Sequence, residues 1–433
     1  MVQKMRKMKD SGIEWIGEIP EGWEVAPLKR FTSIQTGNTP SKTSDSNYYA
    51  STGIPWIKPD NLGYSHSISK TSEHLTSEGA LCARIMPPNT VYVCCIGSLG
   101  KVGYSSISCA CNQQINALIF NDLMFWKYGY YLTIAQESQY LLFGNGNVLQ
   151  IINSTSQGNI ACVLPPLENQ HLIACYLDSV CSDIEVLISK TRSSIEAYKK
   201  LKQAVITQAV TKGVRGEREM KNSGVEWIGK VPKEWDVRKL KAVSARINVG
   251  VVIRPSEYFD DNGTVPFLRG INVKEYTISS ENMVYISQTS NRALSKSQVH
   301  TGDILIVRDG NIGASCVVPS CYNGANVVSM VIVTPNNNCD SRFLCYSLNS
   351  EVGKTQFTLT KIGSALTHTS VSAVSDILSP VPSREEQYEI ADYLDAKCSE
   401  IDGLIAKKEQ LVKELESYKK SLIYEVVTGK REV

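Results

Sequence analysis

The pattern of apolar and polar positions divides the chain into two kinds of segment, and each kind occurs twice. Between 168 and 210 neither Gly nor Pro interrupts the sequence. Apolar residues recur there on a heptad: Leu177, Ile184, Tyr198 and Val205, interleaved with Val180, Leu187 and Leu201. From 382 onward the pattern returns as Leu394, Ile401, Leu415 and Leu422 with Leu404, Leu411 and Tyr418, and Gly403 is the only blemish. Such spacing predicts two long helices, the first about 64 Å long at 1.5 Å per residue. Each follows a proline and opens on acid (Glu168; Glu385 and Glu386), which the helix dipole favours. Gly213 and Gly429 supply C-terminal stops. A heptad seam of this length needs a partner. The other copy of the helix is the expected one; packing of each helix on its own neighbouring segment is the alternative. Thr191 and Lys408 fall at matched places in mid-seam, where a polar residue sets register. Leu187 and Leu404 are expected to hold the coil together.

The segments between the helices, 30–160 and 242–378, carry short β-rich runs bounded by Gly, Pro and Asn. Candidate strands cover 89–96, 116–120, 303–308 and 327–334, with helices around 123–135 and 341–355. Each of these heads reads as α+β.

The duplication is visible in the letters themselves. Residues 9–29, KDSGIEWIGEIPEGWEVAPLK, return at 221–241 as KNSGVEWIGKVPKEWDVRKLK, with 12 of 21 positions identical, Trp15/Trp227 and Trp23/Trp235 among them. The helical tails echo at a shift of 217: Pro165/Pro382, Gln170/Gln387, Tyr176/Tyr393, Leu177/Leu394, Asp178/Asp395 and Thr211/Thr428 coincide. Inside the heads only fragments survive, such as Pro55–Lys58 against Pro266–Arg269 and Gly97–Gly100 against Gly310–Gly313. A kept frame with diverged loops suits two related modules that read two different targets. The repeated tryptophans read as anchors of head to helix rather than as platforms for unpaired bases.

The composition is that of an ordinary globular protein of 433 residues, with a formal net charge of +2. A protein that grips nucleic acid by bulk charge would be more basic, so any positive charge must be placed locally or supplied by a partner. The basic N-terminus lacks an apolar run and no stretch of about 18 apolar residues occurs, so neither signal peptide nor membrane span is expected. The thirteen cysteines are scattered without zinc spacing and are expected as buried thiols in a reducing cytoplasm.

The opening motif SGxEWIGxxPxxW, the closing YKK…VVTGK, the two heads and the two long helices together resemble the specificity subunit of a Type I restriction–modification system. The resemblance spans essentially the whole chain. It implies an α+β protein in which two α/β target-recognition domains (1–164 and 213–381) are separated by two long antiparallel coiled-coil helices (165–212 and 382–433) in a pseudo-two-fold internal repeat. It implies a DNA-sequence-recognition role on a split asymmetric double-stranded DNA target. The implied partners are two methylation subunits and motor-nuclease (restriction) subunits, which would carry S-adenosylmethionine, ATP and Mg; none of these cofactors is expected on this chain.

Base edges need paired donors and acceptors: Arg or Lys for guanine, Asn or Gln for adenine. In the first head the candidates are Thr36, Asn38, Thr39 and Lys42 in one loop, then Lys58 and Asn61, Ser98 and Lys101, the run Asn112, Gln113, Gln114, and Asn145 and Asn147 in a glycine-rich turn. In the second they are Arg254, Arg269, Asn272, Arg308, Asn311 and Asn326, with Lys361, Ser364 and His368 in KIGSALTHT. Each has a plainer reading: Asp309 can pair with Arg308, and Asn311 between two glycines can be a turn former. Lys58 and Arg269 match between heads, which suits phosphate contact, since phosphates are common to any sequence.

Catalytic signatures are missing. Met86–Asn89 and Leu164–Leu167 are not the [N/D]-P-P-[Y/F] motif of an adenine methyltransferase, no P-loop occurs, Pro59-Asp60 has no downstream acidic-x-Lys, and the five His lack metal spacing. The expectation is a noncatalytic DNA-reading subunit. The alternatives are a coiled-coil protein–protein adaptor with two ligand-binding heads, and a restriction enzyme whose catalytic part was lost or lies in another chain.

Overall fold

The computed structural model describes residues 6–40, 47–63, 67–68, 71–145, 150–359 and 368–433. The chain divides into two units. The first joins residues 1–193 to 408–433, and the second is 194–407.

Unit 1 is built on the strands β1 (Glu24–Pro27), β2 (Thr32–Thr36), β3 (Ile54–Ile57), β4 (Thr90–Cys94), β5 (Val102–Ser105), β6 (Cys109–Cys111) and β7 (Ile115–Phe120). An antiparallel sheet runs β5-β4-β7-β2, and in a second sheet β3 and β6 pair in parallel. Helices α1 (Trp126–Ala135) and α2 (Glu137–Phe143) follow. Strand β8 (Ala161–Leu164) then returns to pair with β1 before the 46-residue helix α3 (Leu167–Lys212) begins.

Unit 2 repeats the plan with β9 (Asp236–Lys239), β10 (Ser244–Val249), β11 (Val265–Leu268), β12 (Ile304–Val307), β13 (Ser315–Val317), β14 (Asn326–Val327) and β15 (Met330–Pro335). Its four-stranded sheet, β10-β15-β12-β13, has the order of the first, and β11 pairs in parallel with β14. Helices α4 (Ser341–Asn349) and α5 (Glu351–Leu359), strand β16 (Leu378–Val381) on β9, and the 44-residue helix α6 (Arg384–Val427) complete it. The helix expected at 341–355 breaks at Ser350. A Cβ on Gly353 would collide with the Leu348 carbonyl, so α5 packs against the end of α4 rather than continuing it.

In each unit an α3 segment runs antiparallel to an α6 segment. In unit 1 Lys419 is paired with Glu185 and Arg192 with Glu416; in unit 2 Lys202 binds Asp402 at 2.6 Å. Lys202 and Lys419 are one residue in repeat coordinates, as are Glu185 and Asp402. The buried seam of α3 consists of Ile173, Leu177, Cys181, Ile184, Ile188 and Ile195, and its equivalent on α6 of Ile390, Leu394, Cys398, Ile401 and Val412. This corrects the expected second seam position. Leu187, Leu201, Leu404, Leu411 and Tyr418 are exposed and Val180 is half-buried, so Leu187 and Leu404 do not hold the coil. Thr191 and Lys408 do lie at its half-buried middle.

Each head is tied to its helix by the same side chain. The fully buried Gln170 accepts from Phe125 N–H (2.7 Å) and donates to the carbonyls of Leu123 (3.2 Å) and Pro165 (2.9 Å). Gln387 accepts from Asp340 N–H (2.7 Å) and donates to Asn338 (3.1 Å) and Pro382 (3.0 Å). A second clasp sets the Tyr131 hydroxyl on Asp178 (2.8 Å) and the Tyr346 hydroxyl on Asp395 (2.7 Å). Two of the four repeated tryptophans are buried anchors, Trp23 and Trp235, and Trp235 Nε1 donates to Glu386 at 2.9 Å; Trp15 is half-buried, and Trp227 is exposed, against the expectation. In unit 2, Trp235 packs with the C-terminal end of α3 through Ile206, Ala209 and Val210. In unit 1, Tyr424 near the end of α6 donates to Trp15 O at 2.8 Å. The helix that leaves one head therefore closes the other.

Replacing Gln387 by Leu keeps the volume but strands one buried donor and two buried acceptors, at a cost of about 2–4 kcal/mol. Urea unfolding of the full chain should show a transition at clearly lower denaturant. A midpoint equal to wild type would contradict the clasp.

Candidate nucleic-acid interface

The candidate residues converge because the loops that carry them leave the sheets at one edge of each unit. After β2 the chain turns away at Gly37, whose N–H donates to Ile115 O (2.9 Å), while Asn38 N–H donates to Cys111 O (3.0 Å). A Cβ on Gly37 would strike the Cys111 carbonyl. In unit 2 Gly250 N–H meets Met330 O (2.8 Å), Val251 N–H meets Val327 O (2.8 Å), and a Cβ on Gly250 would strike the Val327 carbonyl. Glycine is required at both places by close approach of two backbones, not by a left-handed φ.

The loops after β3 and β11 match as closely. Lys58 N–H donates to Asn61 Oδ1 (2.9 Å), and Arg269 N–H to Asn272 Oδ1 (3.0 Å). Asn272 is fully buried, and its NH2 group holds Ser279 O and Glu281 O. These two asparagines brace a turn, which takes Asn272 off the accessible surface. Lys58 itself lies 5.1 Å from the Trp56 ring centroid and 2.8 Å from the Glu73 carboxylate. The Arg269 guanidinium donates to Asn282 O.

At the ends of the parallel pairs, Asn112 N–H donates to Ile57 O (3.0 Å) and Val328 N–H to Leu268 O (2.8 Å). Asn112 is buried and donates to Gln114 Oε1 (3.0 Å), whereas Gln113 is exposed and accepts from the Thr39 hydroxyl. Asn326 is fully buried on Asn291 and Leu294 O, so it too is withdrawn from any ligand. Thr36 donates to Asn116, which in turn donates to Gln157, and Asn38 is held at both ends of its amide by Cys82 O and Arg84 N–H. These two are parts of the scaffold on which the loop stands.

The turns Gly97–Gly100 and Gly310–Gly313 are superposable in kind. All four glycines have positive φ, between 78° and 90°, and the exposed Ser98 and Asn311 sit at their tips. Lys101 follows, half-buried. Each turn packs on the second helix of its head, Gly100 against Glu137 and Tyr140, Gly313 against Phe357. The strand beside each turn is capped by the segment that comes back from that helix: Ile152 N–H donates to Cys95 O (3.0 Å), Thr369 N–H to Arg308 O (3.2 Å), and Arg308 Nε to Thr369 O (3.0 Å). Ile96 and Asp309 bridge Ile151 and His368. Ile151 and Ile152 of the first head and His368 and Thr369 of the second thus hold one structural position. Asn145 and His368 are both exposed, while Lys42, Asn147, Lys361 and Ser364 lie outside the described residues. Asp309 accepts from Ser329 Oγ at 3.1 Å.

Arg254 is an exposed candidate held at φ +46°, directly before Pro255, with Glu257 at 3.2 Å. The sequence reading missed Arg84, which donates to Thr36 O at 2.6 Å, and the exposed Val252 and Ile253. Neither has a local signature, because their place is set by strands far away in sequence. Burial pushes the Cys95 and Cys111 thiols up to about 12, so beneath this edge they stay neutral at physiological pH. Among the described residues no group of three His, Cys, Asp or Glu could hold a metal ion, and no helix is long and apolar enough to cross a membrane.

The Type I restriction modification DNA specificity domain matches this sequence twice, over residues 20–197 and 232–414. The chain belongs to that family. The chain is similar to the Type I restriction enzyme MjaVIII specificity subunit of Methanocaldococcus jannaschii, at 26% identity over 95% of this chain and 93% of that protein. A second relative, the Type I restriction enzyme HindI specificity subunit of Haemophilus influenzae, is 30% identical over 40% of this chain and 38% of its own. A solved chain from a study of complex assembly and conformational transition of the type I R-M system has the same fold. Its TM-score is 0.73 at 15% identity, over 95% of this chain and 99% of that one. The two matched edges are therefore candidate interfaces of a specificity subunit, whose role in the family is recognition of DNA.

Gly37→Ala should cost about 1–3 kcal/mol, because the new methyl must displace a backbone carbonyl. Gly63→Ala, whose Cβ would meet nothing within 4 Å, is the control. Urea midpoints should separate the two variants; equal midpoints would contradict the close approach.

Proposed function

We propose that this subunit reads a split, asymmetric double-stranded DNA target, with residues 1–164 and 213–381 as its two target-recognition domains and residues 165–212 and 382–433 as the spacer helices. The observation that carries the reading is the matched edge: one backbone, built twice, presents different side chains at equivalent positions. Thr39 and Gln113 stand where Val252 and Ser329 stand in the other unit, and Ser98 where Asn311 stands. A duplicated scaffold with diverged contacts is what recognition of two unlike half-sites requires. The side chains proposed for DNA are Thr39, Lys58, Ser98, Lys101, Gln113, Gln114 and Asn145 in the first unit, and Arg254, Arg269, Arg308, Asn311 and His368 in the second. Lys58 and Arg269 suit phosphate, for they are the pair that both units keep.

The subunit is proposed to be noncatalytic, to act in the cytoplasm, and to direct two methylation subunits and the motor-nuclease subunits to its target. The exposed Leu187 and Leu411 in unit 1 and Leu201 and Leu404 in unit 2 favour a protein partner on each pair of helix segments, where large apolar side chains are left in water. A near-neutral chain also favours shared duty: selective contacts here, with much of the nonspecific grip from its partners.

The test is base-resolved methylation mapping with the full chain and its methylation subunits. Exchanging residues 30–160 for the corresponding segment of another specificity subunit should change one half of the methylated motif and leave the other half intact. A motif unaffected by the exchange, or altered in both halves, would overturn the reading.

A further inference from the structure

The two edges share a backbone and differ in chemistry, and the difference follows from which side chains the fold withdraws. In unit 2 two of the three candidate amides go inward. Asn272 and Asn326 are fully buried, with the oxygen and nitrogen of each amide engaged inside the unit. What stays at that edge is the exposed Arg254, with Glu257 at 3.2 Å, the half-buried Arg308, Asn311 at the tip of its glycine turn, and a two-residue tip in which Val252 is 53% and Ile253 80% exposed. The tip is not loose. Val251 N–H on Val327 O and Ser329 N–H on Val251 O (3.0 Å) fix its base, and Arg254 at φ +46° turns the chain away behind it. A non-glycine residue in the left-handed region is strained, and such strain is tolerated where geometry serves a ligand.

In unit 1 the balance is reversed. The Lys58 ammonium is matched by the Glu73 carboxylate at 2.8 Å, and Arg84 is tied to Thr36 O. Asn112 is buried, but two glutamines beside it are not withdrawn. Gln113 is exposed and takes the Thr39 hydroxyl on its oxygen, and Gln114 takes Asn112 Nδ2 on its oxygen; each oxygen keeps a second lone pair for adenine N6, and each NH2 group is a donor for N7. Asn145 is exposed beside them.

In the major groove an amide side chain pairs with adenine N6 and N7, arginine pairs with guanine O6 and N7, and an apolar side chain packs on the thymine methyl. We infer that the two half-sites differ in kind. The edge of unit 1 selects an adenine through Gln113 and Gln114, while the edge of unit 2 selects a guanine through Arg254 and Arg308, with Ile253 against the methyl of a neighbouring thymine. This rests on the DNA-reading function proposed above and names what each half of the target contains.

The experiment uses the full chain with its methylation subunits, on genomic DNA and on synthetic duplexes that carry the mapped motif. Gln113→Ala, Ile253→Asn and Arg254→Gln are compared with wild type; all three positions are exposed, so the fold is not at issue. Gln113→Ala should relax an A·T position in one half by at least about tenfold, and Arg254→Gln a G·C position in the other half by as much. Replacing thymine by uracil in the Arg254-dependent half should slow methylation by wild type and not by Ile253→Asn. The inference is overturned if Gln113→Ala relaxes a G·C position, if both variants act on one half, if neither changes the motif, or if uracil has no effect. A wild-type motif that is not split would instead remove the DNA-reading proposal beneath it.

Discussion

The antiparallel pairing of α3 with α6 is the constraint on which the rest of this structure depends. Neither helix can bury a seam of isoleucine, leucine and cysteine alone. The pairing is not set by apolar contact only. Lys419 and Lys202 are lysines at seam positions, with side chains 8% and 20% exposed, and each reaches an acid on the other helix, Glu185 or Asp402. A partly buried charge without its partner costs several kcal/mol, so a helix shifted by one turn would strand both lysines. Polar seam residues contribute less to stability than to register. Because the two pairs are the same pair in repeat coordinates, one register satisfies both.

From that register follows the way the heads are made. Each begins with a tryptophan-containing segment that needs a helix end to cover it, and each receives the end of the helix from the other repeat. Gln170 and Gln387 then fasten the far side of each head to a helix start, through three backbone groups apiece. With both ends of a head held in this way, the sheets between can keep their strand order while their loops change. Only positions where backbones nearly touch, such as Gly37 and Gly250, resist change within the loops.

Most of this frame was legible in the sequence. The duplicated ends are retained because the same tryptophan, glutamine and aspartate contacts are made twice, and the first helix was placed at 168–210 against the observed 167–212. What the sequence could not say was which way each helix faces. A 3.5-residue period in Leu and Val places Leu187 and Leu201 in the seam, yet Cys181, Ile188 and the stem of Lys202 occupy it, and the leucines face out. Composition cannot separate an apolar residue kept for a partner from one kept for the core. Two of the candidate contacts were misjudged in the same manner. Asn272 and Asn326 have the donors and acceptors a base contact needs, and the fold uses them to satisfy buried carbonyls and amides instead. Arg84 carried no signal, since its neighbour Asn38 lies 46 residues away. Loop regions could be read from residue type; individual contacts depended on burial.

The role proposed for the paired helices α3 and α6 is to set the unread gap between the two half-sites. Its most direct test is methylation of a series of duplexes in which both half-sites are kept and the unread gap between them is lengthened or shortened one base pair at a time. One gap length is expected to be methylated well, and a change of a single base pair in either direction to lower the rate by at least about tenfold, because a step of about 3.4 Å also rotates one half-site about the duplex axis. Equal rates across several gap lengths would contradict it.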